Sequence, residues 1–480
     1  MVRCLFLLIA FLSIGTASHA APSKTLSLPT TINSAYGDFD AMQQRRIVRV
    51  LIPYSKTFYF LDNQGTPRGL MVELMQQFDK TLNHGIKPDK KIHIVLIPTS
   101  RDRLIPDLLA GKGDLIAANL TVTPERQQLV DFTIPLASGV HEVVVANKLQ
   151  PALTTRDDLA GKSVFINPST SYVQSIAQLN QHLASNQLAP VEVINAPGNL
   201  EPEDILEMVN ANLAGYTVVD RYLALLWQKI YPNLVTYDQF ALRSDGNIAL
   251  AVRKNSPQLL AVLNPFCKAH KLGTSFGNQQ VYKYLRSVKW VKSATSENEI
   301  AKFNQLTTIF QKYGQEYSVD WLLMVSQGYQ ESQLDQRKRS HSGAIGIMQI
   351  LPSTGKDLKV GDISQAEPNV NAGIKYIRFM QDRYFADQPM DELNKMLFTF
   401  AAYNAGPAKI ERLRKQAKLM GLDPNRWFNN VERVAQLKIG NETVQYVSNI
   451  FKYYVAYTLI KQQQQKKEQA ISPAPNKPSA

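Results

Sequence analysis

The feature that most constrains this chain is a change of hydrophobic period near residue 296. Short β-branched runs (Val48–Ile52, Ile92–Ile97, Val143–Val145, Ser163–Ile166, Val191–Ile194, Tyr216–Val219) alternate with helically spaced stretches such as Gly69–Leu82 and Asp102–Ala110. Strands separated by helices predict parallel sheets covered by helices. From Asn298 onward the apolar spacing is helical throughout. A chain of 480 residues exceeds one ordinary domain. The expectation is therefore multidomain: an α/β domain over 44–292, then a mainly α domain over 298–462.

The ends read differently. Residues 1–20 carry Arg3, the apolar run Leu5–Leu12 and a small-residue end at Ser18-His19-Ala20, the pattern of a secretory signal peptide. The run is too short to span a bilayer, which takes about 20 apolar residues. Cys4 precedes it, whereas a lipid-attachment cysteine would follow. Only Cys267 remains besides, so no intramolecular disulfide is expected after cleavage, and Cys267 reads as a small buried hydrophobe. Residues 463–480, rich in Gln, Lys and Pro, read as a disordered tail. The net charge of +13 is dispersed in short clusters such as Lys90-Lys91 and Arg337–Arg339 without interleaved aromatics, which argues against nucleic acid as a partner. No metal-ligand pattern is evident, and Gly161-Lys162-Ser163 lacks the glycine a phosphate loop needs at Arg156.

The candidate chemistry lies in Gln327–Gly355. Trp321, Met324, Gly328 and Glu331 fall on one helical stripe, which places a carboxyl group on an apolar face. Lost hydration favours the protonated form, the state a general acid must hold before it protonates a leaving oxygen. Gly343 and Gly346 then bring backbone close ahead of Ile347-Met348-Gln349. Ala401–Pro407 ends a helix with Gly then Pro and exposes Tyr403 and Asn404 at its end. Asn441–Val447 opens a last amphipathic helix. Between Glu331 and Gln349 the only other acid is Asp335, expected one turn further along the same helix side, so the two-carboxylate arrangement of ordinary glycosidases is missing.

Two resemblances follow from these residues. Ala118-Asn119-Leu120-Thr121-Val122-Thr123-Pro124-Glu125-Arg126, with Val130-Asp131-Phe132-Thr133, resembles the signature of periplasmic amino-acid-binding proteins, extracellular solute-binding family 3. This implies a two-lobed, periplasmic-binding-protein-like fold closing on an amino acid or cell-wall peptide. By motif, Arg126 would clamp a carboxylate with two parallel donors, and Thr121, Thr170 and Ser171 would add hydrogen bonds. Asp220 would take the amino group, and an aromatic from Phe58–Phe60 would cover the side chain. The sequence departs from the family's pattern at Ser169, usually Gly, and at Leu136, usually aromatic.

In the second half Glu331-Ser332, Gly346-Ile347-Met348-Gln349, Ala402-Tyr403-Asn404-Ala405-Gly406 and the Glu442–Tyr446 segment together resemble the soluble lytic transglycosylase domain, a lysozyme-like α fold. The stretches GYQES, GAIG, VGDI, AGIKY and GLDPN are similar to a membrane-bound subgroup that fuses a solute-binding domain to this domain. The resemblance implies cleavage of peptidoglycan glycan strands with Glu331 as acid then base, and no cofactor or metal. Ser332 and Ser340 would orient the acid and an N-acetyl group, and Gln349 with the backbone around Met348 would hold the sugar. Tyr403, Asn404, Glu442 and Tyr446 would line the site. It also implies a periplasmic location, peripheral to the outer membrane. The residues alone leave open an amino-acid-binding protein with an inactive helical domain, and a hydrolytic muramidase.

Overall fold

The computed structural model describes residues 34–62, 65–286 and 294–471. The expected leader and residues 472–480 lie outside the described residues. Among the described residues eleven strands follow in chain order: β1 (Ile47–Ile52), β2 (Phe60–Leu61), β3 (Pro67–Arg68), β4 (His93–Pro98), β5 (Leu115–Thr121), β6 (Val130–Phe132), β7 (Ala137–Asn147), β8 (Ser163–Ile166), β9 (Glu192–Asn195), β10 (Tyr216–Asp220) and β11 (Leu234–Arg253). All but β2 and β3 join one sheet with the order β4-β1-β5-β11-β7-β10-β8-β9, β6 lying against β11.

The sheet explains the two lobes. β4-β1-β5 is parallel, as is β10-β8-β9, and each set forms the core of one lobe. Between them β7 and β11 run antiparallel, and the 20 residues of β11 pass from the second lobe to the first. The all-parallel expectation is thus corrected at the centre. Val143–Val145 is buried on both faces, so it reads like a parallel core strand although its partners run antiparallel to it. Register shifts between Tyr237 and Ile248 interrupt the β7–β11 ladder where the chain crosses between lobes. The first domain also begins earlier than residue 44. Helix Phe39–Arg45 is capped by Asp38, buries Phe39 and Met42 in the first-lobe core, and is tied to Gln258 and Leu259 by the Asp38 carboxylate.

The second domain is helical. Helix Trp321–Ser332 is capped by Asp320, packs against helix Glu297–Glu316 and ends at Gln333 with φ 59°. The last helix, Glu442–Ile471, lies alongside it; helix Ala366–Phe385 packs on Glu297–Glu316 and on Glu392–Ala405, which in turn meets Pro407–Leu419 and the last helix. Phe303 stacks on Tyr457 at 4.5 Å between centroids, and both rings are fully buried. A buried aromatic pair of this kind is worth about 0.5–1.5 kcal/mol beyond its area. The tail expectation is corrected in part, because the last helix continues through Ile471. Gln, Lys, Glu and Ala are good helix formers, and extending an existing helix carries no nucleation cost.

The two domains meet along the last helix and the segment before it. Lys452 pairs with Asp204 of the second lobe at 2.8 Å, and Asp204 also pairs with Lys56 of the first lobe at 3.1 Å. Arg433 pairs with buried Asp107, Ser100 meets Asn429 at 2.8 Å, and Tyr54 donates to Asn441 at 3.2 Å. Among the described residues no helix is long and apolar enough to cross a membrane.

Candidate active site

Glu331 is the penultimate residue of helix Trp321–Ser332, whose inward face carries Met324 and Gly328. A side chain at Gly328 would crowd Ile347, Leu334 and Met348, each 3.2 Å from the added Cβ. The absence of a Cβ lets the Met348 segment lie directly on the helix. Gly373 serves the same purpose from the other side, where a Cβ would stand 2.5 Å from Met348 Cγ. Gly346 adopts φ 79°, and a Cβ there would meet Asn369 Nδ2 at 2.5 Å.

Burial pushes the Glu331 carboxyl up to about 7, against a hydrogen bond from Tyr446 that lowers it. Tyr446 Oη donates to Glu331 Oε1 at 2.5 Å, a short bond that favours the ionised carboxylate and so opposes the effect of burial. Tyr446 itself is held well above its ordinary range by burial and the neighbouring Glu331 charge, so it keeps its proton. Gln327 Nε2 donates to the same phenolic oxygen at 3.3 Å. Tyr403 also feels the Glu331 charge, and its hydroxyl donates to Met348 O at 2.9 Å. Glu331 therefore titrates near neutral pH and has phenols from two other helices beside it. Among the described residues no second carboxylate contributes to its shift.

The other predicted residues divide by what they touch. Ser332 is buried and donates to Ile347 O at 2.9 Å while accepting from Asp335 N, so it ties the helix end to the glycine turn and does not face the acid. Ser340 caps its own turn through Ala344 N at 2.9 Å and meets Ser342. The Gln349 side chain donates back to Gly346 O at 2.8 Å, braced by a backbone φ of 49°. Met348 is fully buried and offers its backbone, N to Asn369 Oδ1 at 2.8 Å and O to Tyr403. Asn404 accepts from Thr443 Oγ1 at 2.6 Å. Glu442 is exposed one turn before Tyr446 on the same helix. Asp335 is not on the helix side expected for it: Gln333 and Leu334 both take positive φ and turn the chain away, and Asp335 pairs with Arg337 at 3.1 Å.

Sequence reasoning missed Asn369, Thr443 and Gln327. Fully buried Asn369 holds the glycine turn with three hydrogen bonds, to Met348 N, Ile345 O and Ile363 O. Its available signal was an amide beside Val370, Ala372 and Gly373 on an apolar helix face, since a buried amide needs partners.

In the first domain Thr121, Arg126, Thr170 and Ser171 converge with Arg101, Asn119 and Tyr172 around a cavity of about 10 Å³, no larger than one water. The Arg126 guanidinium bridges the lobes by donating to Thr121 O at 2.8 Å and Ser169 O at 2.9 Å. Arg101 and Glu201 form a second bridge at 2.5 Å, buried on both sides. Asp220 accepts from Asn119 Nδ2 at 3.0 Å, leaves Oδ1 buried without a partner, and is pushed up to about 6 by burial and the Glu142 charge. None of Phe58–Phe60 lines the cavity. Phe58 instead lines an apolar groove of about 200 Å³ with Met71, Leu136 and Tyr284, and this groove adjoins the small cavity at Asn119. The lobes are therefore shut on one another, and a ligand requires them to part.

Comparison with known proteins places both halves. Residues 48–276 match bacterial extracellular solute-binding proteins, family 3, and residues 308–421 match the transglycosylase SLT domain. The second match contains Glu331 through Asn404 but stops before Glu442 and Tyr446. The chain is 28% identical over 429 residues to the membrane-bound lytic murein transglycosylase F of Desulfosudis oleivorans, covering 86% of this chain and 90% of that protein. It is 27% identical to the protein of the same name from Vibrio cholerae, covering 94% and 85%. Among solved structures, the arginine-bound form of truncated ArgBP from T. maritima is 23% identical, with a TM-score of 0.39, covering 48% of this chain and 98% of that one.

Proposed function

We propose that this chain, a family 3 solute-binding domain joined to a transglycosylase SLT domain, is a peptidoglycan lytic transglycosylase whose single acid is Glu331. The observation that carries the reading is a largely buried carboxyl that titrates near neutral pH, flanked by Tyr446 and Tyr403, on the SLT domain. Protonated Glu331 gives its proton to the glycosidic oxygen between N-acetylmuramic acid and N-acetylglucosamine, and the C1–O bond breaks. The resulting carboxylate takes the proton of the muramic 6-hydroxyl, whose oxygen bonds to C1 and closes a 1,6-anhydro ring. The muramic N-acetyl group assists from the opposite face, where an ordinary glycosidase would place its second carboxylate. Proton count balances over the cycle, and no water is consumed. Tyr446 stabilises the carboxylate between the two transfers.

The sugar would be held by the backbone at Met348 and by Gln349, Asn404 and Glu442, with Ser332 and Ser340 shaping the turn beneath it. The first domain would bind an amino acid or cell-wall peptide through Arg126, Thr121, Thr170, Ser171 and Asp220 once the lobes part. Its state would reach the catalytic domain through Lys56, Asp204 and Lys452, because opening the lobes separates Lys56 from Asp204 while Lys452 sits six residues after Tyr446 on the last helix. The words membrane-bound in the relatives' names support an envelope location, and we place the protein in the periplasm, peripheral to the outer membrane.

The test is mass spectrometry of purified murein digested by the protein. Anhydro-muropeptides are expected. Products heavier by one water would mean a hydrolytic muramidase, and an untouched sacculus would leave a binding protein. Calorimetry with amino acids and murein peptides, on wild type and Arg126→Ala, tests the first domain, and the variant should lose binding.

A further inference from the structure

The Glu331–Tyr446 pair has a third member. Gln327 lies one turn before Glu331 on the same helix face and is fully buried. Its Nε2 donates to Tyr446 Oη at 3.3 Å, and its Oε1 is buried without a partner. A buried amide left half satisfied costs about 1–3 kcal/mol, so its position calls for a reason.

A phenol has one proton and can rotate it. With an N–H of Gln327 pointed at the phenolic oxygen, the tyrosine proton cannot face the amide and is directed to Glu331 Oε1, 2.5 Å away. Reversing the amide would set Gln327 Oε1 against Glu331 Oε1 as rival acceptors for that one proton, and would strand two buried N–H donors in place of one carbonyl. Orphaned donors are the rarer and costlier case. Glu331 Oε1 is thereby engaged as an acceptor, while Oε2 takes no protein hydrogen bond among the described residues.

We propose that Gln327 is a positioning residue of the acid: its amide fixes the rotor of Tyr446 so that Glu331 accepts at Oε1 and carries its transferable proton on Oε2. The inference rests on Glu331 being the working acid but not on the product it makes. Tyr403 and Tyr446 are the titratable groups that face Glu331 from the helices packed against it, and neither is ionised at working pH. The Gln327 donor also polarises the Tyr446 O–H bond, so the two hydrogen bonds strengthen one another.

The experiment is a double-mutant cycle on the full chain with carboxyl-labelled glutamate, following the Glu331 carbon by NMR titration and assigning it by difference from Glu331→Gln. Gln327→Met should raise the Glu331 pKa by several tenths, and Tyr446→Phe should raise it further. Adding Gln327→Met to Tyr446→Phe should then change nothing, because the rotor is gone. Gln327→Leu serves as a second variant should the methionine form fail to fold. An unchanged pKa in Gln327→Met, or equal shifts in the presence and absence of the Tyr446 hydroxyl, overturns the proposal. Titration reads the carboxyl without turnover, so an absence of anhydro products from the wild type would defeat the proposed reaction and leave this test standing. On murein, Gln327→Met should lower kcat by about tenfold with KM little changed, in the range expected for weakened general acid–base help.

Discussion

Glu331→Gln should make this protein more stable as well as inactive, and the gain should depend on pH. Burial holds the folded carboxyl at about 7 against an ordinary value of 4.5. Between those two values the folded protein binds more protons than the unfolded chain, so stability falls as pH rises. The favourable contribution is complete below 4.5 and lost above about 7. At about 1.4 kcal/mol per pKa unit the gap corresponds to about 3 kcal/mol, and the partial exposure of the side chain lowers the working figure to about 2–3 kcal/mol. Glutamine cannot ionise and escapes this loss, and its carbonyl can still accept from Tyr446. Urea unfolding followed by tryptophan fluorescence, with Trp227 replaced by Phe so that Trp321 and Trp427 of the catalytic domain weigh more in the signal, should show the variant ahead by that amount at pH 8 and level with wild type at pH 4. Murein digestion by the same sample should yield no anhydro-muropeptides. An advantage of equal size at both pH values, or a variant less stable at pH 8, would refute the reasoning, because either means that ionising the carboxyl is not what destabilises the fold.

Three further outcomes are expected. Tyr446→Phe removes a hydrogen bond to a charged group, worth about 1.5–3 kcal/mol, and should move the alkaline limb of the pH–rate profile up by about one to two pH units while lowering kcat. Gly373→Ala drives a methyl group into Met348 and should cost about 1–3 kcal/mol in catalytic-domain melts while first-domain ligand binding is retained. Lys452→Met leaves Asp204 to Lys56 alone and should loosen the docking of the last helix, read as faster amide hydrogen exchange around residues 448–460.

What could be read from the sequence was what periodicity and local chemistry control. The change from strand–helix alternation to helical spacing announced an α/β part followed by a helical part, and the apolar stripe through Met324 and Gly328 ends at Glu331, where burial raises the pKa. Long-range pairing was not legible. Val143–Val145 is a valine run whether its neighbours are parallel or antiparallel, so the crossing by β7 and β11 could not be seen. Asp335 looked like the next turn of a helix because a left-handed pair at Gln333-Leu334 has no glycine to announce it. An aromatic from Phe58–Phe60 was expected over the ligand, but which groove such a side chain lines depends on residues far away in the chain, such as Leu136 and Tyr284 beside Phe58. Gln327 and Asn369 were invisible for a related reason, since their partners, Tyr446 and the Gly346 turn, come from other segments.

The separation between Glu331 and Tyr446 has a consequence for how the enzyme comes into being. The acid emerges during synthesis 115 residues before the phenol that steadies its charge. Until the last helix has been made and has docked, Glu331 lacks that donor, and Asn404 lacks Thr443. A chain cut short between residues 421 and 443 carries every residue of the SLT match and still has an unfinished site. Dependence on the start of its own final helix thus withholds the finished site until that helix has been made and has docked.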